Sequence, residues 1–257
     1  MLSNLGRFSR TELLLGEEGL EKLANSTVAI FGVGGVGSFV AEGLARAGVG
    51  HLVLIDNDLI CLTNINRQIH ATSKTVGQAK TQVMKERILD INPKAVVDTI
   101  EDFYLPENAD KFFTQHYDYV VDAIDTVTGK INLVLQCREL GIPIICSMGA
   151  GNKLDPTKFE VTDIYKTSVD PLARVMRKKM KENRVKKLKV VYSKEKPLVV
   201  KQGGCGGNCI CPPGSANNCD KKRAVPGSIS FVPSVVGMII AGEVVRDITG
   251  AKTEVSA

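Results

Sequence analysis

The chain has 257 residues, 44% of them hydrophobic and 24% charged, with 24 Gly, 10 Pro, 7 Cys and no Trp. That composition excludes a disordered or collagenous chain, and the length allows one large domain or two small ones with ample apolar material for a core. The 33 Lys and Arg exceed the 28 Asp and Glu by five, but twelve of the cations fall between Arg174 and Lys201 beside only Glu182 and Glu195, which leaves the rest acidic by five.

The opening stretch, MLSNLGRFSRTELLLG, lacks the uninterrupted apolar core of a secretory signal, so a reducing cytoplasm is the expected compartment. Leu13, Leu14, Leu20 and Leu23 recur at helical spacing and predict an amphipathic helix or helices over 11–23, inside an N-terminal helical segment 1–26. The apolar burst 28–31, bounded by Gly32, has the length of a buried parallel strand. Further strands are expected at 52–55, 95–100, 119–123 and 143–147, and helices at 36–47, 77–90 and 126–140. This rhythm predicts an α/β domain with a mainly parallel sheet and helices on both faces. Beyond Met148 the pattern loosens into loop and strand over 149–162, a strongly basic helix over 171–182 and a loop-rich stretch over 203–226. The segment 226–250 predicts a strand and then a closing helix from about Ser234. The longest apolar run, 229–241, is broken by Pro233 and is shorter than the roughly 20 residues that span a bilayer, so no membrane partner is expected. Nothing in 174–226 could build its own core, and that region is expected to be an excursion from a single domain spanning 1–257. The domain divides into a nucleotide-binding core, 27–148, and a substrate-side half, 149–257, with the basic segment 174–201 and a cysteine loop 203–226.

The first strand runs straight into Gly32-Val33-Gly34-Gly35-Val36-Gly37, a G-x-G-x-x-G with a helix behind it. Glycines there permit a tight turn, and helix N-terminal amides can hold phosphate oxygens. Asp56 follows the second strand about 20 residues on, where a carboxylate accepts from ribose hydroxyls. To this point NAD and ATP fit equally. Asp58, Asn64, Arg67, Gln68 and Lys80 then add polar and cationic groups near the phosphate end, and Asp122 and Asp125 close a later strand. A hydride path needs none of these, whereas a triphosphate needs cations and a Mg²⁺ held by carboxylate.

The motifs GVGGVGS, LIDNDLI, TNINRQ, VGQAK and VDAID, spread over 7–147, resemble the E1-like superfamily of adenylating enzymes that includes the ThiF and MoeB proteins, with a Rossmann-like fold. The resemblance implies ATP and Mg²⁺ as cofactors, Asp56 as ribose ligand, Arg67 and Lys80 as phosphate contacts, and Asp125 as the Mg²⁺ carboxylate. It makes Asn64 a shaper of the phosphate site, with Gly32, Gly34, Gly35, Gly37, Asp58, Gln68 and Asp122 lining it. Members of the superfamily are homodimers in which an N-terminal arginine enters the partner's ATP site, and RFSRTELLLG puts Arg10 there; a plain surface arginine is the alternative.

NRQIHA at 66–71 and RILDINP at 87–93, and in the second half the Gly-Ala-Gly at 149–151 and LDPTKFEVTDIYKTSVDPLA, are similar to the tRNA threonylcarbamoyladenosine dehydratases. That similarity implies adenylation of the modified adenosine's carboxylate at tRNA position 37, followed by cyclisation with release of AMP. The basic segment would then contact tRNA phosphates, although on charge alone a solvated lysine-rich helix is as good a reading. The alternative function is an E1-like enzyme adenylating the C-terminal glycine of a ubiquitin-like sulfur carrier. A non-catalytic nucleotide-binding adaptor of a sulfur relay comes third.

Cys61, Cys137 and Cys146 sit singly among apolar residues, and Cys137 and Cys146 are expected in the core, since the implied chemistry needs no protein thiol. Cys205, Cys209, Cys211 and Cys219 are clustered, but not as the paired C-x-x-C of structural zinc sites. Four thiolates could hold Zn²⁺ or an iron–sulfur cluster. Thiol chemistry with a cysteine desulfurase or another sulfur-transfer system, and unligated cysteines, are the other two readings.

Overall fold

The computed structural model describes residues 6–200 and 226–251. Seven short β-branched and apolar runs form one sheet: β1 (Thr27–Phe31), β2 (His51–Ile55), β3 (Val96–Ile100), β4 (Tyr119–Asp122), β5 (Ile144–Ser147), β6 (Phe159–Asp163) and β7 (Lys189–Ser193). Their order is β3-β2-β1-β4-β5-β7-β6, with every pairing parallel except β6 against β7 at the edge. Among the described residues six α-helices accompany them: α1 (Ser9–Ala24), α2 (Gly37–Ala47), α3 (Lys80–Ile91), α4 (Val127–Leu140), α5 (Pro171–Glu182) and α6 (Phe231–Thr249).

Side chains alternate across a strand, so β1 feeds two cores. Val28 and Ile30 join the cluster under α2, α3 and α6 on one face, and Ala29 and Phe31 join Leu133 and Cys137 of α4 on the other. A third cluster seats Ala173, Met176 and Met180 of α5 on Cys146, Val190 and Tyr192. Helices therefore cover both faces, as the βα rhythm requires. The chain leaves β1 for α2 on one face and β4 for α4 on the other, and between these neighbouring strands a crevice opens at their carboxyl ends.

The N-terminal segment is two helices joined at Gly16, which turns to φ 71° and ψ 172°. Two expectations need correcting. The region 174–226 is not wholly an excursion: β7 lies inside the sheet, pairing with both β5 and β6. Its Val190 and Val191 are flanked by lysines that mask the strand in a charge count, and Lys189 is neutralised by Glu243 at 3.0 Å and Asp247 at 2.7 Å on α6. No strand forms over 226–230, and the closing helix begins at Phe231, three residues ahead of Ser234. Among the described residues, no helix is long and apolar enough to cross a membrane.

Candidate active site

The glycine loop is shaped by contacts that no side chain would permit. Gly32 sits at φ +90°, where a Cβ would lie 2.7 Å from the Ala123 carbonyl at the end of β4, and a Cβ on Gly37 would lie 1.8 Å from the Gly32 carbonyl. The turn thus closes on itself and on β4, leaving the first turn of α2 at the crevice. Gly34 and Gly35 face the TNINRQ turn: a Cβ on them would lie 3.9 Å from Gln68 Nε2 and 3.5 Å from Arg67 Cγ.

Asp56, at the end of β2, accepts from the Val33 amide at 2.7 Å and the Asp58 amide at 2.9 Å. The ammonium of Lys80, the first residue of α3, lies 2.6 Å from Asp58 and 3.6 Å from Asp56. Burial pushes the Asp56 carboxyl above the usual carboxylate range, with Lys80 opposing it. Arg67 is half-buried, and its guanidinium donates to the Thr63 carbonyl at 2.8 Å and Asn66 Oδ1 at 3.0 Å. Asn64 is buried beneath that turn and accepts from the Cys61 amide at 3.0 Å, so it fixes the turn's shape from below. The glycine loop, Asp56, Asp58, Asn64, Arg67, Gln68 and Lys80 therefore converge at one end of the sheet. Amide donors, two cations and a carboxylate there suit a ribose beside a string of phosphates.

The two carboxylates at β4 part company. Asp122 is fully buried and paired at 2.9 Å with Lys130, which also donates to the Ser147 carbonyl at 2.9 Å. It braces the crevice from beneath instead of lining it, contrary to the expectation for that residue. Asp125, three residues on, is exposed in the turn into α4, with the Thr126 hydroxyl 3.5 Å from its Oδ1. One exposed carboxylate beside a phosphate loop fits Mg²⁺, which uses few protein carboxylates and completes its shell with phosphate oxygens and water. Among the described residues there is no group of three or more His, Cys, Asp or Glu side chains placed to hold a metal, and Cys205, Cys209, Cys211 and Cys219 lie outside them.

Arg10 is exposed in the first turn of α1, next to Phe8, which packs on the Gly48 cap of α2. That is the far end of an 11-residue helix about 16 Å long, so Arg10 does not join the site of its own chain. Cys137 and Cys146 are core residues whose thiols burial and the nearby Asp122 push upward, leaving them protonated and inert.

Sequence reasoning missed Lys130, Lys153, Asp170 and the burial of His70. Lys130 occupies the apolar stripe of α4, with Leu133, Val134 and Cys137, and that misplaced charge was the signal available. Lys153 and Asp170 are equally buried and lie 3.1 Å apart. Among the described residues His70 has no hydrogen-bond partner at either ring nitrogen, and burial, with Lys80 and Arg87 nearby, holds it down at about 4. The basic helix buries Ala173, Met176 and Met180 and turns Arg174, Lys178 and Lys181 outward, with Lys178 in electrostatic reach of Glu182. Arg184, Lys186 and Lys187 extend that exposed strip, whereas Lys179 and Lys194 pair with Glu182 and Glu160.

The ThiF family matches residues 8–257. The tRNA threonylcarbamoyladenosine dehydratase of Bacillus subtilis is 48% identical over 247 residues, covering 95% of each chain. The Escherichia coli dehydratase, TcdA, solved with ATP and with AMP, superposes with TM-scores of 0.81 and 0.82 at 36% identity, over 95% of this chain and 94% of that one. The Escherichia coli sulfur carrier protein ThiS adenylyltransferase is 35% identical over 147 residues, 56% of this chain and 58% of the relative.

Proposed function

The chain belongs to the ThiF family, and on that footing we propose that it is an ATP-dependent tRNA threonylcarbamoyladenosine dehydratase. The observation that carries this reading is the 48% identity running along 95% of both chains, basic second half included, whereas likeness to the ThiS adenylyltransferase covers only 56% of the chain.

A carboxylate resists substitution because its leaving group would be oxide. In the proposed first step the threonyl carboxylate attacks the α-phosphorus of ATP, forming the acyl-adenylate and releasing pyrophosphate. The neighbouring carbamoyl group then attacks the acyl carbon, expels AMP and loses a proton, so the nucleoside is one water lighter. Holding both groups together makes the second step effectively unimolecular. Asp56 holds the ribose, Arg67 and Lys80 bind phosphate oxygens, and the loop at Gly32, Gly34, Gly35 and Gly37 presents its amides. Asp125 would hold Mg²⁺, which when bound supplies charge neutralisation on the phosphates.

The tRNA is read as resting its phosphates on Arg174, Lys178, Lys181, Arg184, Lys186 and Lys187. A homodimer, with Arg10 reaching the site of the second copy, is supported by the distance of Arg10 from its own site. The exposure of Leu13 and Leu14 at 72% and 85% supports it as well. Zinc or an iron–sulfur cluster at the four clustered cysteines, or a sulfur-transfer partner there, is supported by those thiols alone. Metal analysis of protein prepared without air tests it.

The deciding experiment supplies threonylcarbamoylated tRNA, ATP and Mg²⁺. Pyrophosphate release and a nucleoside lighter by one water in mass spectrometry are expected. An unchanged nucleoside, with adenylation of an added sulfur carrier, would replace this function with the alternative.

A further inference from the structure

Just beyond β5, the second half builds a buried contact that nucleotide binding does not use. Lys153 Nζ donates to the Gly149 carbonyl at 2.5 Å and to Asp170 Oδ2 at 3.1 Å, with both side chains out of solvent. The other Asp170 oxygen accepts from the Ala173 amide at 2.9 Å and caps α5. One carboxylate therefore starts the basic helix, while its lysine holds the carbonyl of the loop leaving β5. The fit is close, since a Cβ on Gly149 would lie 3.1 Å from Asp170 Oδ2.

Each partner follows a non-glycine residue in the left-handed region: Asn152 at φ 58° precedes Lys153, and Val169 at φ 44° precedes Asp170. A β-branched residue rarely adopts that conformation, and it persists where surrounding contacts over-determine it. The loop is anchored toward the phosphate end too. The Asn152 amide donates to the Gly227 carbonyl at 2.8 Å, and Asn66, beside Arg67, donates to the Ser228 carbonyl at 2.9 Å. The amides of Gly149, Ala150 and Gly151 have no hydrogen-bond acceptor among the described residues. They lie beyond the carboxyl end of β5, beside the β4 end that carries Asp125.

We propose that the Lys153–Asp170 pair is a positioning device that ties the tRNA-bearing helix α5 to the 149–151 loop, so that a docked tRNA presents its threonylcarbamoyl group to the adenylating site in register. The proposal rests on the dehydratase reading. Apolar residues could stabilise this junction as well as an ion pair does. What the pair adds is direction, because each partner also grips one of the two backbones being joined.

The test is the Lys153→Met/Asp170→Asn double variant, which removes both charges together and leaves none buried alone. It should melt near the parent protein, bind ATP unchanged and bind substrate tRNA with unaltered affinity, while kcat for cyclisation falls about 10- to 100-fold, the scale of a misplacement near 1 Å. Parental kcat, or a loss that tracks ATP or tRNA affinity, would overturn the proposal. If the double variant does not fold, Gly149→Ala serves: it keeps both charges but presses a methyl group on Asp170, and the same kcat loss at unchanged tRNA affinity is expected. Parental kcat there overturns the proposal equally. A parent protein that leaves the nucleoside unchanged would instead refute the dehydratase reading.

Discussion

Lys130 and Lys153 are both buried, both pair with an aspartate, and both donate to a carbonyl at the end of β5, yet they serve different regions. Lys130 joins two neighbouring strands of the sheet, reaching from α4 to Asp122 on β4 and Ser147 on β5. Lys153 joins the sheet to a helix outside it, across a backbone bent at Asn152 and Val169. The first pair belongs to the foundation of the nucleotide half, and the second spans the junction to the basic half. Similar chemistry therefore predicts different losses, of stability at Lys130 and of register at Lys153.

The largest expected effect breaks the foundation. Lys130→Met leaves the Asp122 carboxylate buried and uncompensated, which should cost about 3–5 kcal/mol in urea unfolding. Adding Asp122→Asn should recover most of that loss. A single-variant loss no larger than that of an ordinary surface substitution would mean that the nucleotide half does not depend on this brace.

Next come the groups above the brace. Arg67→Ala and Asp125→Ala should each lower turnover by about 10²–10³-fold, the scale for removing a preorganised charge from a reacting centre. Filter binding should show tRNA affinity intact. An equal fall in tRNA affinity would show that the two halves are not separate sites.

The two regions are also unequally legible in the sequence. In the nucleotide half, function rides on local geometry: a strand, a glycine turn and a helix lie within about 20 residues of one another, so chain order alone places Gly32, Gly37 and Asp56. Asp122 departs from its expected role because its chemistry depends on burial against Lys130, which no local pattern sets out beyond one charge in an apolar helical stripe. In the second half the order is global. β7 is inserted between β5 and β6, so its neighbours lie far off in the chain, and its flanking lysines find their acids on α6 and β6. A charge count sees twelve cations in that segment but not that Lys189 and Lys194 are already paired.

Acid sensitivity sharpens the same contrast, because all three histidines, His51, His70 and His116, precede the second half. Burial, aided by Lys80 and Arg87, holds His70 at about 4, whereas an unfolded histidine titrates near 6.5. The unfolded state therefore binds the extra proton between those values, so stability contributed by neutral His70 is present above about pH 6.5 and is lost as pH falls toward 4. The full loss is roughly 3 kcal/mol. His70→Gln should flatten that part of the stability curve by most of this amount. A parallel curve for the variant would place the acid sensitivity elsewhere.

The smallest effect tests what the second half contributes to binding alone. Arg174, Lys178 and Lys181 project from α5 opposite its buried methionines, so replacing them with Gln removes charge without disturbing Ala173, Met176 or Met180. If each meets one phosphate, the slope of log K for tRNA against log salt should flatten by about 0.7–0.9 per residue. At low salt the affinity should drop accordingly, while ATP binding and thermal stability stay as they were. A solvated lysine-rich helix would give the same slope with and without the three cations. The distinction matters for the junction as well, because Asp170 can transmit register to the 149–151 loop only if the helix it caps bears the tRNA.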